Sequence, residues 1–128
     1  MKKLISLLFL LFLLLLIPAF LHSHDYVVYG ATSPTAINGN YTSAGAIEGK
    51  PYYKHDTEEY YIRWYGGWSA WIIVSFAGLG DPPAAYTFFR RIDPAIVGAY
   101  ENYLGAGTVF VEAYAEAGVV SRVIMISE

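Results

Sequence analysis

The sequence contains no cysteine, and this absence removes two common sources of order in a small protein. Without thiols the chain forms neither disulfides nor thiolate metal sites, so its stability has to come from burial, β pairing or association with other chains. Charged residues are also few, at 15% of the 128 residues, and acidic ones outnumber basic ones by eleven to eight. This balance argues against a nucleic-acid partner, which calls for a basic surface.

Enzyme motifs are missing as well. The sequence has no nucleophile elbow around a serine or cysteine and no glycine loop of the phosphate-binding type. We therefore predict a non-enzymatic protein without a cofactor.

The first residues predict export. Lys2 and Lys3 precede residues 4–17, an apolar run that only Ser6 interrupts. A short basic segment followed by an apolar one is typical of a secretory signal peptide. The predicted location is therefore outside the cell or at its surface.

We place the signal peptide at residues 1–23, with cleavage after Ser23 and, as an alternative, after Ala19. A retained membrane anchor over residues 4–21 is the competing interpretation, since this length is just enough to span a bilayer core. Residues 24–128 then form a single β domain, in which six basic and eleven acidic residues give a formal charge of −5.

Two aromatic and β-branched runs form the strongest local pattern in the chain. Residues 60–65 and 68–75 flank Gly66 and Gly67, which predicts a hairpin with a two-residue turn. Residues 50–54 form a similar run just before them. The three runs together predict a three-stranded meander.

Further strands are predicted from β-branched and aromatic runs at residues 26–29 (closed by Gly30), 41–42, 84–89, 108–115 and 119–127. Arg90 and Arg91 are expected to end the strand before them. Asp93 and Pro94 suit the start of one helical turn through residues 95–100. The predicted fold class is all-β, as a small antiparallel sheet, meander or sandwich module behind an N-terminal hydrophobic signal helix.

The C-terminal part, residues 108–128, is predicted to be a strand pair or a donated strand. Its last strand is apolar with one charge, and an exposed apolar edge recruits other chains. Either it closes the sheet of its own chain, or it joins a neighbour. The residues expected to make this assembly strand are Val119, Val120, Val123, Ile124 and Ile126.

Four short sequences carry a resemblance to a known module: NGNYT at residues 38–42, GKPYY at 49–53, YYIRW at 60–64 and WII at 71–73. With this pattern the chain resembles an extracellular aromatic-rich β module found, often repeated, in bacterial and protist surface or filament proteins. The resemblance implies an extracellular β fold used in assemblies, with no catalytic residues to carry over. Arg63 stands where that pattern usually has an aromatic residue, only one copy is present, and the tail after Tyr114 extends beyond it.

Asn40 and Thr42 form an N-glycosylation sequon at a predicted turn of an exported chain. Both are also ordinary turn residues, so a plain solvated turn is the alternative.

Tyr61, Trp64, Trp68 and Trp71 are candidates for an aromatic surface. In alternating strands, half of the aromatic side chains face each way. One face is expected to be core, and the other a platform for sugar rings or a contact between subunits. We favour the subunit contact, because exposed apolar patches usually mark association.

The histidines and one acidic cluster invite catalytic or metal interpretations that we do not favour. His24 and His55 could chelate copper if cleavage exposed His24, but ligand spacing alone is weak support. Asp56, Glu58 and Glu59 could supply an acid–base pair, although charged loops are usually solvated. Arg90 and Arg91 are interpreted as edge-strand charges, which protect an edge from pairing.

These observations predict a non-enzymatic structural subunit of an extracellular fibre or surface assembly, glycosylated at the sequon if at all. Head-to-tail strand addition between copies would build the polymer. The runner-up is an extracellular carbohydrate-binding module in which Trp64, Trp68 and Tyr61 stack on a polysaccharide. The predicted partners are therefore other copies of the chain and glycans.

Overall fold

Eight antiparallel strands follow one another around a closed barrel. The structure is a computed structural model that describes Ser6 and residues 24–115. The strands are β1 (Tyr26–Ser33), β2 (Gly39–Ile47), β3 (Lys50–His55), β4 (Tyr60–Tyr65), β5 (Ala70–Ser75), β6 (Thr87–Arg91), β7 (Gly98–Asn102) and β8 (Ala106–Ala113). Short 3-10 turns occur at Thr35–Ile37, Phe76–Leu79 and Ala84–Tyr86.

The barrel closes where β8 pairs with β1. Tyr26 lies opposite Ala113 and Val28 lies opposite Val111, while β1 pairs with β2 on its other side. The all-β prediction is confirmed, and so is the meander, since β3, β4 and β5 are neighbours. The meander continues through all eight strands and closes on itself, instead of remaining an open sheet or forming a sandwich.

The hairpin between β4 and β5 has a longer loop than the sequence predicts. Tyr65 pairs with Ala70, so four residues connect the strands rather than two. The left-handed residue of the loop is Ser69, with φ of 49°, and Trp68 N donates to Tyr65 O at 3.2 Å. Trp68 therefore belongs to the loop, and its ring packs on the outside of the barrel.

Three other predicted boundaries are wrong. β1 does not stop at Gly30 but continues to Ser33 past a register shift at that glycine. Arg90 and Arg91 are the last two residues of β6 and do not follow it. The predicted helical turn through residues 95–100 is absent, because Gly98 begins β7.

The interior of the barrel is filled by side chains from seven of the eight strands and by Ile37 of the first 3-10 turn. They form one buried cluster: Val28, Ala31, Ile37, Tyr41, Ile62, Trp71, Ile73, Phe89, Tyr100, Val109 and Val111. Strands β4 and β5 bury their outer face as well, where Tyr61, Ala70, Ile72 and Val74 make a second cluster. This double burial explains why β5 reads as an unbroken apolar run.

Two interior tyrosines share one hydrogen-bonding pattern. The hydroxyl of Tyr41 donates to Ile37 O, and that of Tyr100 donates to Ile96 O, each at 2.7 Å. Burial is the main cause that raises the pKa of both hydroxyls, so they stay neutral donors. Each hydrogen bond fixes the chain segment before its strand against the core.

Arg63 holds the loop after β5, residues 76–81, against the outer cluster. Its side chain is fully buried, and its Nη2 donates to Glu48 Oε2 at 2.7 Å. Its Nη1 lies 3.1–3.4 Å from the carbonyl oxygens of Gly78, Leu79 and Gly80. The site therefore suits an arginine, because it is lined with oxygen atoms.

In the part of the chain that the structure describes, no helix is long and apolar enough to span a membrane. Apart from Ser6, the predicted signal peptide lies outside the described residues, and so does the predicted assembly strand with Val119, Val120, Val123, Ile124 and Ile126.

Candidate functional site

The four predicted surface aromatics do not form one strip. Tyr61 and Trp71 are buried, with 5% and 6% of their surface exposed. Trp64 packs against the interior cluster, with its ring 5.7 Å from that of Trp71. The predicted division of the aromatics between two faces is confirmed, but Trp68 alone of the four contributes to the outer aromatic surface described next.

Trp68 forms an aromatic platform with Arg90 and Tyr103. The rings of Trp68 and Tyr103 are 5.1 Å apart and tilted by 53°. The guanidinium carbon of Arg90 lies 5.0 Å from the Trp68 centroid and 5.2 Å from the Tyr103 centroid, within cation–π range. We call these three residues the aromatic platform.

Strand register and two loops place the platform residues side by side. Arg90 pairs with Ile72, so it projects from the outer face of β6 next to the β4–β5 loop that carries Trp68. Tyr103 follows β7, and its backbone N–H donates to Phe88 O at 2.9 Å. The platform is therefore held by backbone contacts.

A polar cavity of about 230 Å³ adjoins the platform and shares Arg90 with it. Arg90 forms an ion pair with Glu101 across the β6–β7 ladder. Arg91 lies 3.6 Å from Asp93 and donates to the carbonyl oxygens of two further residues, Ala95 at 3.0 Å and Ala99 at 3.1 Å. Each arginine of the cavity therefore has a carboxylate beside it.

The arginines are not edge-strand charges, which corrects the prediction for Arg90 and Arg91. β6 pairs with β5 on one side and with β7 on the other. Gly98 leaves room for Arg91, since a Cβ there would lie 2.6 Å from the guanidinium carbon.

His55 has a structural role, and the copper interpretation with His24 is wrong for this reason. Its Nε2 donates to Asn38 O at 2.8 Å, and its Nδ1 accepts from the N–H groups of Thr57 and Glu58, each at 3.1 Å. Both ring nitrogens are therefore engaged. Within the described residues no three side chains of the His, Cys, Asp and Glu types come together to hold a metal ion.

The predicted acidic cluster does not act as a unit, because Asp56 and Glu59 contact different partners. Asp56 Oδ2 lies 3.0 Å from His24 Nδ1, whereas Glu59 accepts from the Tyr61 hydroxyl at 2.6 Å. Burial, followed by this hydrogen bond, raises the pKa of Tyr61 to about 12. Glu58 and Glu59 line an open groove of about 530 Å³ together with Phe76.

The sequon lies in strand β2 and not in a turn, which corrects the placement of Asn40 and Thr42. Asn40 pairs with Val27, and the Thr42 hydroxyl lies 3.5 Å from Asp56 Oδ1. Both residues are partly exposed on the outer face of the barrel. A glycan at Asn40 stays a prediction.

Sequence reasoning identified Trp68 but missed Tyr103, Glu101 and Asp93 as members of the site. The only available pattern was the opposite charge of Arg90 and Glu101, eleven positions apart, and no local rule pairs them. Comparison of the chain with protein-family models, curated proteins and solved structures finds no match.

Proposed function

We propose that the protein is a non-enzymatic, exported module that binds a polysaccharide on the aromatic platform. One observation carries this proposal: the platform and the polar cavity share Arg90, so an aromatic surface and paired polar groups converge on one ligand position. Binding sites for small molecules typically combine aromatic lining with a few placed polar groups.

A sugar ring matches both parts of this site. Its C–H face is apolar and packs on an aromatic ring, while its hydroxyls at the edge need hydrogen-bonding partners. The cavity, at about 230 Å³, is smaller than the roughly 300–1,000 Å³ of typical drug-sized pockets. It suits a single ring of a longer chain whose remainder lies along the surface.

The site is organised before any ligand arrives. Arg90 is fixed by two rings and by Glu101, and Arg91 by the carbonyl oxygens of Ala95 and Ala99. A preorganised site loses less conformational entropy on binding, which supports a role in recognition.

Replacing Tyr103 with alanine is expected to weaken polysaccharide binding at least tenfold, or about 1.4 kcal/mol, because half of the platform is lost. Affinity electrophoresis in gels containing soluble polysaccharides measures the change. Tyr86→Ala is the matched control, since Tyr86 and Tyr103 are exposed to the same degree, 43% and 42%. Equal retardation of the two variants would contradict the proposed site.

A structural subunit of an extracellular assembly is the second candidate. Large apolar side chains at the surface favour association: Phe76 is 65% exposed, Ile92 61% and Leu104 57%. Strand addition needs a free acceptor edge, and within residues 24–115 every strand has a neighbour on both sides. Assembly at the described barrel would therefore use side-chain contacts, and both strands of a strand-addition pair would have to lie outside residues 24–115.

Sedimentation velocity tests the second candidate. If residues 119–126 mediate assembly, a chain of residues 24–128 will form concentration-dependent oligomers, and the same chain ending at Ala117 will be a monomer. Two monomers at high concentration would end this proposal and leave the carbohydrate proposal unaffected.

A further inference from the structure

The charges and free hydrogen-bonding groups of the site define the class of polysaccharide. We infer that the aromatic platform and the polar cavity select neutral polysaccharides, rich in free hydroxyls, over acidic ones. This inference rests on the proposed carbohydrate-binding function and adds the chemistry of the ligand to it.

The cavity carries no net charge. Its four charged lining residues are two arginines and two carboxylates, Arg90 with Glu101 and Arg91 with Asp93. An acidic sugar would have to compete with a carboxylate already in place beside each arginine. That competition costs the ligand much of the attraction that a free arginine would give.

Both hydrogen-bond donors and a hydrogen-bond acceptor remain available to a ligand. Arg90 uses its Nε for Glu101, and its two Nη groups make no hydrogen bond to another residue of the described chain. The Glu101 side chain is 53% exposed, and one of its oxygens accepts from Arg90 while the other has no donor among the described residues. Donors and an acceptor therefore stand side by side at the edge of the platform.

Neighbouring hydroxyls of a neutral sugar fit this pair. A hydroxyl both donates and accepts, so one can accept from Arg90 while the next donates to Glu101. A sugar carboxylate only accepts, and Glu101 repels it. The formal charge of −5 on residues 24–128 adds a repulsion that acts on any polyanion approaching the surface.

The experiment measures how tightly the full exported chain, residues 24–128, binds two sets of soluble polysaccharides. The method is affinity electrophoresis at low ionic strength. The neutral set is xyloglucan, galactomannan and laminarin, and the acidic set is polygalacturonate and alginate. We expect at least one neutral polymer to bind ten times more tightly than either acidic one. Stronger or equal binding of an acidic polymer would overturn the inference while the carbohydrate-binding function stands; no retardation by any polymer would refute the function itself.

Glu101→Gln tests whether the cavity is responsible. The substitution replaces one acceptor oxygen by an NH2 donor, so neutral binding should fall several-fold. It also removes the negative charge beside Arg90, so binding of polygalacturonate should appear and decrease with added salt. Glu112→Gln is the matched control, because Glu112 is also a carboxylate that accepts one side-chain hydrogen bond, from the Tyr29 hydroxyl at 2.6 Å, on a different pair of strands, and its variant loses the same charge. Identical behaviour of the two variants would overturn the assignment of selectivity to Arg90 and Glu101.

Discussion

Replacing Arg63 with methionine is expected to lower the free energy of unfolding by about 3–5 kcal/mol, because several hydrogen bonds from a buried charged donor are lost and each is worth about 1.5–3 kcal/mol. The guanidinium is fully buried and bonds Glu48 together with three successive carbonyl oxygens, of Gly78, Leu79 and Gly80. Methionine fills much of the space but donates no hydrogen bond. The three carbonyl oxygens lose this donor, and the loss is most costly at Gly78, which is buried.

Denaturation by urea, followed by tryptophan fluorescence, measures the Arg63→Met effect. Arg91→Met is the matched control, since Arg91 also donates to backbone carbonyls but keeps 24% of its side chain exposed. We expect the control to cost about 1 kcal/mol or less, as for a surface contact. Similar midpoints for the two variants would show that Arg63 does not fasten the outer loop.

Replacing Gly30 with alanine is expected to cost about 2–5 kcal/mol, from left-handed strain and overpacking together. Gly30 has φ of +94°, and a Cβ there would lie 1.9 Å from the carbonyl oxygen of Thr108. That oxygen belongs to the backbone of β8, which cannot move away without disturbing the β1–β8 pairing. The substitution therefore acts on the contact that closes the barrel.

Gly49→Ala is the control that separates the cost of backbone strain from the cost of a steric clash. Gly49 also has a positive φ, +77°, but no atom lies within 4 Å of the position of its Cβ. Its variant should lose only about 1–2 kcal/mol, the cost of the left-handed conformation. If thermal unfolding gives the two variants the same midpoint, close approach of β1 and β8 at Gly30 is not what stabilises the closure.

The local patterns of the sequence predict much of the sheet. The aromatic runs on both sides of Gly66 and Gly67 predict β4, β5 and their hairpin, because alternation and turn chemistry act over a few residues. Alternation also predicts that Tyr61 and Trp64 face opposite sides. The predicted length of the β4–β5 loop was wrong, because the packing of Trp68 against Tyr103 and Arg90 depends on residues far along the chain.

The candidate site was only partly predictable. Trp68 is recognisable from the sequence as a tryptophan beside a turn. Glu101 and Tyr103 come close to Arg90 only through the pairing of β7 with β6. The sequence did not predict β7, because its first residues were assigned to a helical turn after Asp93. Asp93 does accept a hydrogen bond from Ala95 N at 2.7 Å, as a helix cap would, yet Gly98 turns the chain into β7.

By itself the sequence determined that residues 24–115 make an all-β fold, since short-range alternation and β propensity decide between strand and helix. The closure of the barrel was decided by tertiary structure alone. It joins Tyr26 to Ala113, across nearly the whole described chain, and no local pattern encodes a pairing at that separation. The same is true of the site, because Trp68, Arg90 and Tyr103 meet only after the register of β5, β6 and β7 has been fixed by the packing of the core.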